Sequence, residues 1–421
     1  MLHLDRMCYW VFLLCLVGMI PSISLVTFID ELACLFMGVI MALDCVFNGN
    51  YKRYKGVFLI IAIMAGYALY SLPLGYNTAP YIAEDFIIQL KPFIPFYVIF
   101  AIKPQFTANE KAIARAVCIV NVLIGLFLFS FFRWTLYDSI MSHPMEVGIT
   151  AIVCGYVYLT FSIKPDGTVS KGTIATIVLI LTCGLLSTRA KYYGEFVLTL
   201  SMLFFYRYGI TKHLKLSHVI FIAAIAAIFI AVSWNKFHYY FIEGTVDVGA
   251  DTPEDFAMNF ARPMLYATFG MILVDHTLLG TGLASFATYA SQHNYSNLYF
   301  EYSLDKIWGL SPSFPNFICD AFFPELAQFG VVGIVLFIVF WRWLYKRVRV
   351  LIRTNHIKYR YHFVIASLII AFVLIESIAN TAFVKMSGMT MMMLLGMICG
   401  KGQTVTRQLK DGKIAQTSIF T

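Results

Sequence analysis

Apolar residues in this chain gather into runs of about 20 residues, separated by short polar breaks. The runs lie near 8–29, 31–48, 56–76, 86–102, 112–132, 145–163, 172–188, 191–207, 216–234, 320–341, 361–380 and 382–399. A helix of that length rises about 30 Å, the thickness of a bilayer's hydrocarbon core. The pattern predicts an all-α, polytopic integral membrane bundle of about twelve transmembrane helices. The run 86–102 is broken by "QLKPFIP". Lys91 and Pro92 there predict a kinked helix whose freed carbonyls find partners inside the protein. The first run has no clear small-x-small cleavage site, so it is read as a retained helix rather than a signal peptide.

Charge sets the sides. The segments 52–55, 103–115, 164–171, 207–215 and 342–360, and the tail after Lys401, are basic. They alternate with "FIDEL", "NTAPYIAED" and a long stretch after Trp234. Lys and Arg collect on the cytoplasmic side of a membrane protein, so this alternation predicts both termini in the cytoplasm. The organisation expected is helices 1–9 over 1–234, a periplasmic loop over 235–319, helices 10–12 over 320–399, and a basic cytoplasmic tail over 400–421.

Composition agrees with the pattern. The 421 residues are 60% hydrophobic and 13% charged, with a mean hydropathy of +0.76, more apolar surface than a water-soluble fold can cover. The net charge of +8 is mostly this loop asymmetry and carries no expectation of nucleic acid. Eight of the nine cysteines sit in apolar runs and Cys319 at the edge of one, without CxxC or Cys/His metal spacing. They predict helix packing rather than disulfides or a metal site.

Two features do not fit a plain bundle. Arg189 and Lys191, in "GLLSTRAKYYGEF", fall at a junction that the charge pattern puts outside, where cations are disfavoured. The loop between the ninth and tenth runs is long, and long loops in compact domains are usually functional. From Asn235 to Glu325 it carries ten acids against Lys236, Arg262 and Lys306, and it is rich in aromatics. Its pieces include "ARPMLYATFGMILVDHTLLGTGLASF" and "SPSFPNFICDAFFPELAQFGVVGIVLF". Each piece has a plainer reading. Arg189 can snorkel to headgroups, Gly280 and Gly282 can form a helix C-cap and turn, and Asp320 can cap the tenth helix. His276 and His293 can be surface residues, and the aromatics interface anchors.

Taken in order, these pieces resemble the O-antigen ligase/polymerase superfamily over roughly 180–335. "STRAKYYG" stands where that family has an arginine at an outer junction with a glycine soon after. "DHTLLGTGLASF" is similar to its "DHPLLGxGxxxF" turn, with Arg262 upstream, and "CDAFFPELAQFGVVG" to its closing block. The resemblance implies a GT-C-like helical membrane enzyme, with amphipathic helices in its periplasmic loop, that acts on undecaprenyl-diphosphate-linked glycans. In the ligases the closing block carries a histidine where this chain has Cys319. That departure favours the polymerase branch, the Wzy-type repeat-unit polymerases, with Asp320 in the basic role.

The roles implied are then definite. Arg189 and Arg262, with Lys191 as a weaker third, grip the diphosphate, since guanidinium groups stay charged and make paired bonds to phosphate oxygens. Asp320 is the first choice of base, followed by Glu301, Glu325 and His293. Tyr295, Tyr299, Tyr302 and Trp308 stack on sugar faces, and Gly280 and Gly282 shape the turn. No cofactor or metal is expected. The partners implied are lipid-linked glycan donor and acceptor, membrane lipid, a chain-length regulator and a flippase, at the inner membrane. The alternatives are an O-antigen ligase acting on lipid A-core and a lipid-linked oligosaccharide or solute transporter. For the transporter, Glu376 and Lys385 offer an intramembrane pair.

Overall fold

The computed structural model describes residues 3–19, 28–132, 145–187, 189–206 and 253–411. The expected ninth span at 216–234, and the loop's first part at 235–252, lie outside the described residues. Every named element among those described is helical, apart from an isolated bridge between Ser311 and Phe314. Among the described residues, five helical stretches are long and apolar enough to cross a membrane: Asn50–Leu74, Ala79–Ile102, Ala108–Ser130, Phe322–Thr354 and His356–Glu376. Shorter apolar helices occupy Glu146–Ser162 and Lys171–Ser187.

The main helices are α1 (Leu4–Gly18), α2 (Ile29–Asn48), α3 (Lys55–Leu74), α4 (Ala79–Leu90), α5 (Phe93–Ile102), α6 (Ala108–Phe132), α7 (Met145–Ser162), α8 (Lys171–Cys183) and α9 (Ala190–Phe205). After the undescribed stretch come α10 (Pro253–Asp275), α11 (Gly330–Thr354), α12 (His356–Glu376) and α13 (Met386–Lys410). Their ends have ordinary chemical causes. Ser170 accepts from the Thr173 amide to start α8, and Asn355 accepts from Lys358 to start α12. At the end of α2, the Asp44 carboxylate gathers Asn48, Asn50 and Tyr54 into one knot.

The predicted break at Lys91–Pro92 separates α4 from α5. Lys91 turns to Asp30 and Glu31 at the start of α2, each 2.7 Å away. The interruption is thus a cross-link between two elements. The tenth run divides as well: a turn at Phe322–Glu325 and a 3-10 turn at Leu326–Phe329 precede α11, which continues to Thr354. Likewise α13 runs on past 400 to Lys410.

The core is built on α5 and α13, which lie along one another. Met389, Met391, Met392, Met393, Leu394 and Leu395 of α13 are fully buried. Phe96 and Phe100 of α5 meet Phe340 and Trp343 of α11 in an aromatic cluster with ring centroids 5.6–6.1 Å apart. A second, smaller core holds the loop together, formed by Leu265 and Ile272 of α10 with Phe286, Leu298, Tyr299, Leu304, Leu310 and Ile318. The described part of the long loop is therefore a packed layer seated on the bundle.

Candidate active site

Three segments distant in sequence meet at the boundary between loop layer and bundle. From α10, Arg262 donates to the Asp320 carboxylate, and the two form an ion pair. Pro263 follows Arg262 directly within α10. Asp320 lies in the short link before Phe322, at a bend beside the extended Ala321. Ala321, not Asp320, is the N-cap of the turn that follows, and no side chain caps it. That link is pinned because the amides of Phe322 and Phe323 both donate to the Ser377 carbonyl at the end of α12. The Tyr266 hydroxyl, one turn after Arg262, donates to the Ile378 carbonyl at 2.8 Å. Arg262 and Asp320 thus reach one place because the α12 end holds both of their segments.

A second ion pair lies beside the first. Lys191, in the first turn of α9, donates to Glu376 at 2.7 Å and to the Ala379 carbonyl at 3.2 Å. Asn380 donates to the same Glu376 oxygen at 3.0 Å and accepts from Lys385 at 3.2 Å. Glu376 and Lys385, expected as a direct pair, are instead bridged through Asn380, and the carboxylate goes to Lys191. Arg189 is the N-cap residue of α9, two positions before Lys191; its neighbour Thr188 lies outside the described residues.

Both pairs act on Asp320. Burial pushes its carboxyl above the ordinary value, and Arg262, then Lys191 and Lys385, pull it back. The Arg262–Asp320 pair is open to a ligand, with 41% and 29% of the two side chains exposed. The Arg262 Nε is buried and has no hydrogen-bond partner among the described residues.

The other expected residues separate from this point. Glu325 is fully buried and accepts from Gln89 of α4. Glu301 is exposed and faces Tyr76. His293 is exposed and pairs with Glu84 at 2.8 Å. Tyr299 is core rather than surface: it is 0% exposed, and its hydroxyl is held by the Ala287 amide and Ser291, both at 2.8 Å. No face of that ring is left for a sugar. Tyr295 packs against it at 4.9 Å and donates to Leu310, and Tyr302 donates to Asp275. Trp308 stacks on Phe314 at 4.5 Å.

Gly280 and Gly282 dock the loop onto the helices. Both have positive φ, +69° and +80°, which favours glycine. A Cβ at Gly280 would run into the Ala327 carbonyl, and one at Gly282 into Ser71 of α3. Around them the chain is tied at every step. Leu283 donates to Ser71 at 2.6 Å, Ala284 to Asp85 at 2.7 Å and Ser285 to Gln328 at 3.0 Å. Gln89 then bridges Asp85 and Glu325. Sequence reading passed over Asp85 and Gln89. Two polar residues four apart, Asp85 at the edge of an apolar run and Gln89 within it, hence on one helix face, were the available signal.

No protein-family model matches the chain, and no curated protein matches it.

Proposed function

We propose that this protein is a membrane glycosyltransferase that polymerises undecaprenyl-diphosphate-linked oligosaccharide repeat units into O-antigen, capsular or exopolysaccharide. The topology that goes with this reading has twelve helices and both termini in the cytoplasm, in a GT-C-like fold with the site facing the periplasm. The observation that carries it is the Arg262–Asp320 pair with Lys191 beside it: cations suited to a diphosphate, next to a carboxylate suited to a hydroxyl proton.

The chemistry follows from that pair. A donor diphosphate competes with Asp320 for the Arg262 guanidinium, where paired bonds to phosphate oxygens are available. Asp320, losing its strongest cationic partner, becomes more basic. It takes the proton of the acceptor hydroxyl as that oxygen attacks the donor's anomeric carbon. The bond from that carbon to the diphosphate oxygen breaks, undecaprenyl diphosphate leaves, and the configuration inverts. Arg262, Arg189 and Lys191 meet the charge that grows on the leaving group. Such a reaction draws its energy from the lipid-linked bond alone.

A lipid-linked oligosaccharide transporter is the second reading. It is favoured by Glu195 of α9, a buried carboxylate with neither oxygen hydrogen-bonded among the described residues, near Glu376 and Lys191. The deciding experiment supplies purified protein in liposomes with lipid-linked repeat units, without nucleotide or ion gradient. A ladder of lengthening glycans that is lost in Arg262→Ala supports the polymerase. Transfer onto added lipid A-core turns the reading to ligase. Folded protein with no chemistry turns it to transport.

A further inference from the structure

Helix α11 carries one continuous face that changes character along its length. Val331, Val335 and Ile338 are 40–58% exposed, and the same line continues through Arg342, Lys346, Arg349 and Arg353, all exposed. At 3.6 residues per turn these seven positions share a stripe roughly 100° wide. The opposite side, with Trp341, Leu344, Val348, Leu351 and Ile352, is buried against the bundle. Between Arg342 and Arg360 the sequence has no acid at all. None of the four stripe cations takes part in a salt bridge among the described residues. Arg347, off the stripe, is instead stacked over Trp343 at 5.2 Å.

Depth gives the stripe its meaning. Counting at 1.5 Å per residue, Arg342 lies about 18 Å along the axis from Gly330, and Arg353 about 34 Å. The stripe changes from apolar to cationic between Ile338 and Arg342, and the boundary between acyl chains and headgroups falls there. The apolar upper part faces acyl chains, so the surface directly continuing it meets headgroups. Four uncompensated cations there need anions.

We propose that the Arg342–Lys346–Arg349–Arg353 face is a binding site for anionic phospholipid headgroups, with the acyl chains lying along Val331, Val335 and Ile338. The guanidinium groups take the phosphates in paired bonds, and lipid held there fixes the depth of α11 and thereby of the loop layer at its other end. The site is independent of the glycosyltransferase reading.

The test measures lipid retained by the full-length protein, by native mass spectrometry, after exchange in an equimolar mixture of phosphatidylglycerol and phosphatidylcholine. The wild type is expected to retain phosphatidylglycerol preferentially. Each cation removed weakens that binding about fivefold, so R342Q/K346Q/R349Q/R353Q abolishes the preference. R342K/R349K/R353K, which keeps the charge, retains most of it and guards against misfolding as the explanation. Equal retention by the wild type and the quadruple glutamine variant overturns the proposal. So does displacement of the bound lipid by millimolar inorganic phosphate, which would mark a site for free anions.

Discussion

The Arg262–Asp320 seam and the glycine-turn dock both join the loop layer to the bundle, yet they treat charge in opposite ways. In the dock, Asp85 and Glu325 are fully buried and are satisfied by Gln89, with a backbone amide also reaching Asp85. Every partner there belongs to the fold, and no cation is paired among the described residues. In the seam, carboxylates face cations, and the Arg262–Asp320 pair is partly exposed. A ligand can replace one partner of such a pair, whereas it cannot enter the dock without breaking backbone bonds. The more specific-looking motif, "GTGLASF", is therefore the support, and the proposed chemistry rests on side chains that sequence alone leaves scattered.

This contrast can be broken experimentally, beginning with the largest effect. Arg262→Ala should lower the rate of glycan transfer by about 10²–10³-fold while leaving thermal unfolding in detergent nearly unchanged. Unfolding in step with lost activity would make the seam structural too. Asp320→Asn should cost about 10²-fold in rate, again in folded protein.

Gly280→Ala should act on the fold, destabilising it by about 2–3 kcal/mol, because a side chain meets both a positive φ and the Ala327 carbonyl. Transfer per folded molecule should survive. Asp85→Asn should cost about 1 kcal/mol, since one of its oxygens becomes a donor aimed at another donor. Thermal unfolding measures both, and a rate loss without destabilisation in either would place the dock in the chemistry.

The smallest effect is a shift in pH dependence. Asp320 must be ionised to accept a proton, so activity falls as pH drops through its pKa. Burial raises that pKa, which puts the acid limb above the ordinary aspartate value of about 3.9. A pH–rate profile should show this limb in the wild type and not in the residual activity of Asp320→Asn.

The comparison also shows what was legible beforehand. Arg262 and Asp320 were recognisable as candidates only through the family resemblance of their two segments, since Asp320 taken alone reads as a helix cap. Their partnership was not legible, since 58 residues separate them and nothing local encodes which acid an arginine meets. Tyr299 was misleading for the same reason. An aromatic in a polar loop looks like a binding face until a second small core closes over it.

What the sequence by itself determined is what depends on neighbours along the chain. The apolar runs set where helices form, Lys91–Pro92 set the break between α4 and α5, and Gly280 and Gly282 set a turn that needs positive φ. Only the tertiary structure decided the pairings: Lys191 with Glu376 across 185 residues, Gln89 between Asp85 and Glu325 across 236, and the seam open where the dock is sealed. The physical reason is range. Helix periodicity and backbone sterics act over a few residues, whereas the energy of a buried charge depends on whichever group the packing of distant helices brings within about 4 Å.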